Sequence, residues 1–137
     1  MRRKPYIMSR KRHIIDPGVF QMENNPLVDL SFEFAKTIVE LVDSIKAPKS
    51  SYMIDQLARS GTSIGANIHE AQYAHSKADF IAKFEIALKE ANETSYWLKL
   101  LYETNRIEKS EFENAEYLYG RIRRLLIASC KTAKAKE

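Results

Sequence analysis

Cysteine, glycine and proline are scarce in this 137-residue chain, which has one cysteine, four glycines and four prolines. A single cysteine excludes an internal disulfide, and together with three histidines it offers no ligand spacing typical of a zinc site. We expect Cys130 to be a small apolar core residue, because buried thiols usually behave in that way. The fold must therefore depend on a hydrophobic core, and a hydrophobic content of 45% suffices for one compact domain.

Long apolar runs are also absent from the sequence. No stretch approaches the roughly 20 consecutive apolar residues that a transmembrane helix needs. The basic residues at the start, Arg2, Arg3 and Lys4, are not followed by the apolar segment of a signal peptide. We therefore expect no membrane partner and a location in the cytoplasm.

The signatures of common active sites are missing as well. There is no phosphate-binding glycine loop, no nucleophile elbow and no dinucleotide-binding glycine pattern. A di-iron carboxylate site in a helical bundle needs Glu-x-x-His pairs on two helices, and no histidine here has a glutamate three positions before it. We therefore expect no enzymatic activity, no metal site and no cofactor.

Helical periodicity runs through the chain from residue 27 onward. Apolar residues recur every three or four positions, the spacing of one face of an α-helix, in four stretches separated by turn signals. No stretch shows the two-residue alternation of a strand, so a sheet is not expected. The predicted helices cover residues 27–45, a second helix capped by Ser51 and reaching about Ala74, a third opened by a Ser76 and Asp79 capping box and reaching about Thr104, and a fourth opened by a Ser110 and Glu113 capping box.

Short connections determine how these helices can pack. Helices of about 18 to 28 residues joined by roughly two to six residues must lie beside their sequence neighbours in opposite directions. The sequence therefore predicts an all-α, antiparallel, up-down-up-down four-helix bundle over residues 27–137. Residues 1–26 carry turn signals and no sustained period, so we expect a basic, loosely ordered arm there.

Positive charge is concentrated at the two ends of the chain. Residues 1–13 carry +6 and residues 121–137 carry +5, whereas ten basic and seventeen acidic residues between them give −7. This distribution favours an anionic partner that meets the ends rather than the whole surface. The alternative is that both ends only keep the protein soluble. The cations of the arm are Arg2, Arg3, Lys4, Arg10, Lys11 and Arg12.

The fourth predicted helix carries a basic stripe on its outward side. Tyr117, Arg121, Arg124, Ala128 and Lys131 fall within about 80° of one another at 100° per residue. Regularly spaced cations beside an aromatic ring suit a phosphate backbone and a stacked base. We therefore expect the tyrosine and the three cations, together with the arm, to bind RNA. For Lys131 the alternative is compensation of the helix dipole.

Two further helix faces are not explained by the core. The second helix has small or polar residues opposite its core stripe, and the third has a second apolar stripe that includes the tryptophan. Small residues let another backbone approach closely, and aromatic stripes are typical of association surfaces. We expect a contact between subunits, with a neighbouring helix of the same bundle as the alternative for the small residues. The predicted interface residues are Ser60, Ser63, Ala66, Asn67, Glu70, Ile86, Trp97 and Leu100.

Several segments of the chain resemble a known family. Ser63-Ile64-Gly65-Ala66-Asn67-Ile68 is the specific one. The segments that support it are residues 25–27, 31–35, the rest of 56–71, 76–81, 86–94 and 96–98. These segments are similar to the small four-helix-bundle proteins encoded in intervening sequences of bacterial 23S rRNA genes. The resemblance covers about residues 24 to 134.

The resemblance implies a bundle that assembles as a ring-shaped homopentamer, with no enzymatic activity assigned. The same superfamily includes the accessory variability determinant of diversity-generating retroelements, a pentamer that binds a reverse transcriptase and nucleic acid. RNA and a reverse transcriptase are therefore the partners that the resemblance implies. We expect a non-enzymatic oligomeric adaptor associated with RNA. The alternative is a purely structural or protein-binding oligomer without a nucleic-acid role.

Overall fold

The computed structural model describes residues 26–135, which form four α-helices and one short 3₁₀ turn. The helices are α1 (Leu27–Ser44), α2 (Ser51–Ala71), α3 (Lys77–Glu103) and α4 (Lys109–Ala135), and the 3₁₀ turn Pro48–Ser50 precedes α2. No strand occurs in this part of the chain, and none of its helices is long and apolar enough to cross a membrane. The all-α prediction is confirmed. The cations of the predicted arm lie outside the described residues.

Each helix packs against two others, in the cyclic order α1, α2, α3, α4. Among residues 26–135, the diagonal pairs α1 with α3 and α2 with α4 do not bring Cα atoms within 8 Å of each other. Neighbouring helices contact one another in opposite residue order, so they run antiparallel, as predicted. Between α1 and α2, Ile38 lies against Gly61 and Ser31 against Gly65. Between α2 and α3, Arg59 pairs with Glu93 and Glu70 with Lys83, and between α3 and α4, Ser95 contacts Glu116 and Glu85 contacts Lys134. These three pairs imply that α1 and α4, which meet at Ser44 and Glu111, also run in opposite directions.

The core receives side chains from all four helices. Phe34, Phe80 and Phe84 are fully buried, and the rings of the last two pack with centroids 4.3 Å apart. Each large side chain removed from water in this way contributes about 1.5–3 kcal/mol to folding. Cys130 is buried in the same core, which confirms its prediction as an apolar residue, and burial raises the pKa of its thiol.

The starts of α3 and α2 show one confirmed cap and one corrected cap. Ser76 precedes α3, and its Oγ accepts a hydrogen bond from the Asp79 amide at 3.0 Å, as the sequence predicted. The prediction that Ser51 caps α2 is wrong, because Ser51 is the first helical residue and Ser50 precedes it. The Ser50 side chain does not cap the helix, since its hydroxyl accepts a hydrogen bond from Arg106 Nε instead.

Two other predicted helix limits are corrected. α2 ends at Ala71 rather than near Ala74, because the next three amides bond to carbonyls three residues back instead of four. The predicted Ser110 capping box is also wrong, since α4 begins one residue before Ser110. The Glu108 amide donates to Glu111 Oε1 at 2.9 Å, so the glutamate at the third helical position completes the cap.

α1 approaches α2 closely at two glycines of α2. A Cβ on Gly61 would lie 3.0 Å from two side-chain carbons of Ile38, and a Cβ on Gly65 would lie 3.3 Å from the carbonyl oxygen of Ser31. Glycine inside a helix costs about 1 kcal/mol relative to alanine. The close packing of the two helices offsets that cost.

Replacing Gly61 by Ala should lower the free energy of unfolding by about 1 kcal/mol. The added methyl group must displace Ile38 in a closed core, and this overpacking outweighs the gain in helix propensity. Gly120 in α4 is the matched control, because its Cβ would meet only the far end of Arg124, at 3.4 Å. Gly120→Ala should raise the free energy of unfolding by about 0.5–1 kcal/mol. Urea denaturation measures both, and equal gains would contradict a tight contact at Gly61.

Candidate functional site

Two groups of ion pairs join α2 to α3 at the surface of the bundle. Arg59 of α2 donates through Nη1 to Glu90 Oε2 at 3.1 Å and through Nη2 to Glu93 Oε1. Farther along the helices, Lys83 Nζ lies 2.8 Å from Glu70 Oε2. A hydrogen bond from Arg59 lowers the pKa of the Glu93 carboxyl, and one from Lys83 lowers that of Glu70. Both carboxylates are therefore charged at neutral pH.

Trp97 takes part in the first of these groups. Its Nε1 donates to Glu93 Oε1 at 3.2 Å, so one carboxylate oxygen holds both the indole and the Arg59 guanidinium. The ring is partly buried against the core, and the exposed ring of Tyr96 packs edge-on against it with centroids 5.0 Å apart. The indole N–H is thus satisfied within the subunit, while part of the ring stays accessible.

Most of the predicted interface residues lie on the same side of α2 and α3 as these ion pairs. On α2, Ser63, Ala66 and Asn67 follow Arg59 and precede Glu70, and Ser63 and Asn67 hydrogen-bond to carbonyls of their own helix. On α3, Ile86 is 43% exposed, and Leu100 is partly buried against the core. We call this surface the α2–α3 face, formed by Ser63, Ala66, Asn67, Glu70, Ile86, Trp97 and Leu100.

Ser60 does not reach the α2–α3 face, and its prediction as an interface residue is corrected. It is fully buried within the subunit, and its Oγ donates to the Gln56 carbonyl at 2.8 Å. At this position the neighbouring helices of the same bundle cover the small side chain, which was the alternative to a contact between subunits.

The basic stripe of α4 is exposed, in agreement with its spacing. Arg121, Arg124 and Lys131 form no ion pair with any residue of the part that the structure describes. Tyr117 is 63% exposed, and the guanidinium carbon of Arg121 lies 5.9 Å from the centroid of its ring. We call these four residues the α4 stripe. Their charge is not neutralised internally and is available to an external anion.

A third cluster, which sequence reasoning missed, lies between α3 and α4. Arg123 Nε and the Tyr119 hydroxyl both donate long hydrogen bonds of 3.4 Å to Asn92 Oδ1. Glu116, three residues before Tyr119, accepts from Ser95 Oγ at 3.5 Å, and burial raises the pKa of its carboxyl. The periodicity of one helix gives no sign of this cluster, because it depends on the register of α4 against α3.

The remaining surface offers no comparable arrangement for chemistry. No three His, Cys, Asp or Glu side chains between residues 26 and 135 are grouped to hold a metal ion. A cleft of about 500 Å³ lies at the end of the bundle beside Ser44, Arg106 and Glu111. In that cleft Ser44 Oγ donates to Glu111, the Glu111 carboxylate also accepts from the Glu108 amide, and Arg106 donates to the Thr104 carbonyl.

The fold and these surfaces define a small helical-bundle protein whose candidate binding groups lie on its outer faces. A family model described as 23S rRNA-intervening sequence protein matches residues 23–128, and the chain belongs to this family. A solved protein of unknown function from the S23 ribosomal protein family of Bacteroides thetaiotaomicron VPI-5482 is 49% identical, with a TM-score of 0.73 over 77% of this chain and 98% of that one. No curated protein matches. The family resemblance is confirmed, and the retroelement link stays a prediction.

Replacing Arg59 by Gln should raise the pKa of Glu93 toward its ordinary value, because the Arg59 hydrogen bond is the main cause of the lowering. A lowered folded-state pKa stabilises the fold above the ordinary glutamate pKa, and the effect is lost as the pH falls through the lowered value. The stability difference between wild type and Arg59→Gln should therefore shrink below about pH 4. NMR titration of the carboxyl carbons measures the shift. Glu70, which pairs with Lys83, is the internal control, and an unmoved Glu93 pKa would contradict the prediction.

Proposed function

We propose that the protein is a non-catalytic adaptor that assembles with copies of itself through the α2–α3 face and binds RNA through the α4 stripe. The observation that carries the proposal is the α4 stripe, in which three exposed cations without acidic partners within residues 26–135 share a helix face with an exposed aromatic ring. None of these cations joins α4 to another helix through an ion pair within residues 26–135. Their charges are therefore available to an anionic ligand.

The chemistry of the α4 stripe suits a phosphate backbone. Arginine presents planar pairs of N–H donors that match phosphate oxygens, and tyrosine offers a flat ring on which any base can stack. The stripe extends from residue 117 to residue 131, about 20 Å at the rise of an α-helix. Contacts of this kind need no pocket and give affinity largely independent of sequence. The family description, which names an intervening sequence of 23S rRNA, supports RNA as the anion.

The α2–α3 face has the composition of an association surface. Ile86 is exposed and Trp97 is partly accessible, while Ser63 and Ala66 leave room for an approaching side chain or backbone. α4 packs against α1 and α3, and its backbone does not approach α2 within residues 26–135. The α4 stripe therefore does not overlap the α2 part of this face. A homopentamer is the assembly that the family resemblance implies, and a reverse transcriptase is the protein partner that it implies.

Replacing Trp97 by Ala should lower the mass of the assembly in multi-angle light scattering while helix content is retained. Aromatic residues at the centre of interfaces often supply much of the binding energy, and the core below Trp97 is independently buried. Tyr117→Ala is the control, since it removes an exposed ring from α4 rather than from the α2–α3 face. A Trp97→Ala protein with full mass, or one that unfolds, would contradict the interface role.

Changing Arg121 and Arg124 together to Gln should weaken RNA binding and lower the salt slope of the affinity by about one unit per lost phosphate contact. Stability should change by no more than about 0.5 kcal/mol, because both side chains are exposed. Fluorescence anisotropy at two salt concentrations measures the slope.

The matched control replaces Lys46 and Lys49 by Gln, which removes the same charge from the α1–α2 connection. Wild-type affinity and slope in the double arginine variant would eliminate the α4 stripe and leave the arm as the RNA contact. Negligible RNA affinity of the wild-type protein at low salt would instead favour a purely structural or protein-binding oligomer.

A further inference from the structure

Arg123 lies close to the α4 stripe in sequence, but its side chain contacts α3. Its Nε donates to Asn92 Oδ1 of α3, whereas its two terminal nitrogens form no hydrogen bond or ion pair with another residue of the described chain. Tyr119, one helical turn earlier on the same face of α4, donates to the same Asn92 oxygen. The guanidinium is therefore anchored along one edge, while its terminal donors are available to a ligand.

An arginine anchored in this way is suited to an anion. The terminal N–H groups can bind two oxygens of one phosphate, and the anchoring reduces the side-chain freedom that binding must remove. Glu116, the acidic residue of the cluster, hydrogen-bonds to Ser95 and forms no ion pair with Arg123. The charge of Arg123 is thus not neutralised by its neighbours.

We propose that Arg123 binds a phosphate of the same RNA, that Asn92 positions it, and that the RNA segment bound there is single-stranded. The inference rests on the proposed RNA-binding function. It extends the contact surface from the α4 stripe around the helix to the α3–α4 groove, by which we mean the surface at Asn92 of α3 and Tyr119 and Arg123 of α4.

The positions of the cations around α4 are the reason to propose a single-stranded rather than a double-stranded RNA. At 100° per residue, Arg121 and Arg123 lie about 160° apart around the helix, with Arg124 between them on the outward side. A ligand that contacts both flanks must bend over this ridge. A duplex is stiff over such distances, whereas a single strand can follow the curve. The exposed ring of Tyr117 also offers a stacking platform that only an unpaired base can use.

Binding of an unpaired oligoribonucleotide of about 12 nucleotides, compared with the same sequence annealed to its complement, tests the strandedness. Fluorescence anisotropy with the full chain should give at least about tenfold tighter binding of the single strand. Tyr117→Leu, which keeps the charge, should weaken single-strand binding by about 5- to 150-fold, the equivalent of one lost stacking contact. Equal or tighter binding of the duplex, or no effect of Tyr117→Leu, would overturn the single-strand assignment.

Two variants test the groove. Arg123→Gln should weaken binding and lower the salt slope by about one unit, because a phosphate contact is lost. Asn92→Ala should weaken binding by about three- to tenfold at an unchanged salt slope, since it removes a positioning contact and no charge. Lys49→Gln, at an exposed cation that forms no ion pair within residues 26–135, is the control and should match wild type.

The outcomes separate this inference from the proposed function. Wild-type affinity and slope in Arg123→Gln, with a loss in the Arg121 and Arg124 double variant, would overturn the groove contact alone. An Asn92→Ala protein that binds like wild type would overturn the positioning role. Absence of RNA binding by the wild-type protein would refute the proposed function itself. Circular dichroism of each variant verifies that helix content is unchanged.

Discussion

The close approach of α1 to α2 at Gly61 and Gly65 is the constraint on which the other helix contacts depend. The distance between two packed helices is set by the side chains at their contact, and here a glycine leaves room for Ile38. With α1 fixed against this side of α2, Leu57 and Ile64 point into the core. The opposite flank of α2, including Arg59, is then left for α3 and for solvent.

Features that depend on one helix at a time could be predicted from the sequence. The apolar periodicity predicted the four helices and most core positions. The cap at Ser76 followed from a local pattern, because Ser76 and Asp79 are only three residues apart. At the start of α4 the local sequence fits two positions for the helix cap, Ser110 and Glu108. Ile107 is buried at the position before the cap, and Phe112 is partly buried four residues into the helix, which is the pattern of a hydrophobic staple. This staple selects Glu108. It is itself a local sequence pattern, so the sequence contained the signal, but the serine capping box taken alone does not.

The same division applies to the surfaces. The α4 stripe needs only the 100° rotation between residues, so its exposure could be predicted without knowing the neighbours of α4. Ser60 and Ser63 occupy one sector of α2, but only Ser60 is fully buried, and that difference depends on how the bundle packs around α2. The contact of Arg123 with Asn92 joins residues 31 positions apart and requires the register of two helices. Sequence periodicity carries no such information.

The net negative charge of the middle of the chain is compatible with an anionic ligand, because that charge is not spread evenly over the surface. Residues 14–120 carry −7, but Glu90 and Glu93 are paired with Arg59 on the α2–α3 side of the bundle. Charges farther away than about 8 Å are largely screened at physiological salt, so an RNA bound at the α4 stripe would respond mainly to Arg121 and Arg124, which form no ion pair within residues 26–135. In a closed assembly every subunit would present the same cations to one strand. Single contacts of modest affinity would then add through effective concentration, which a monomer with the same α4 could not achieve.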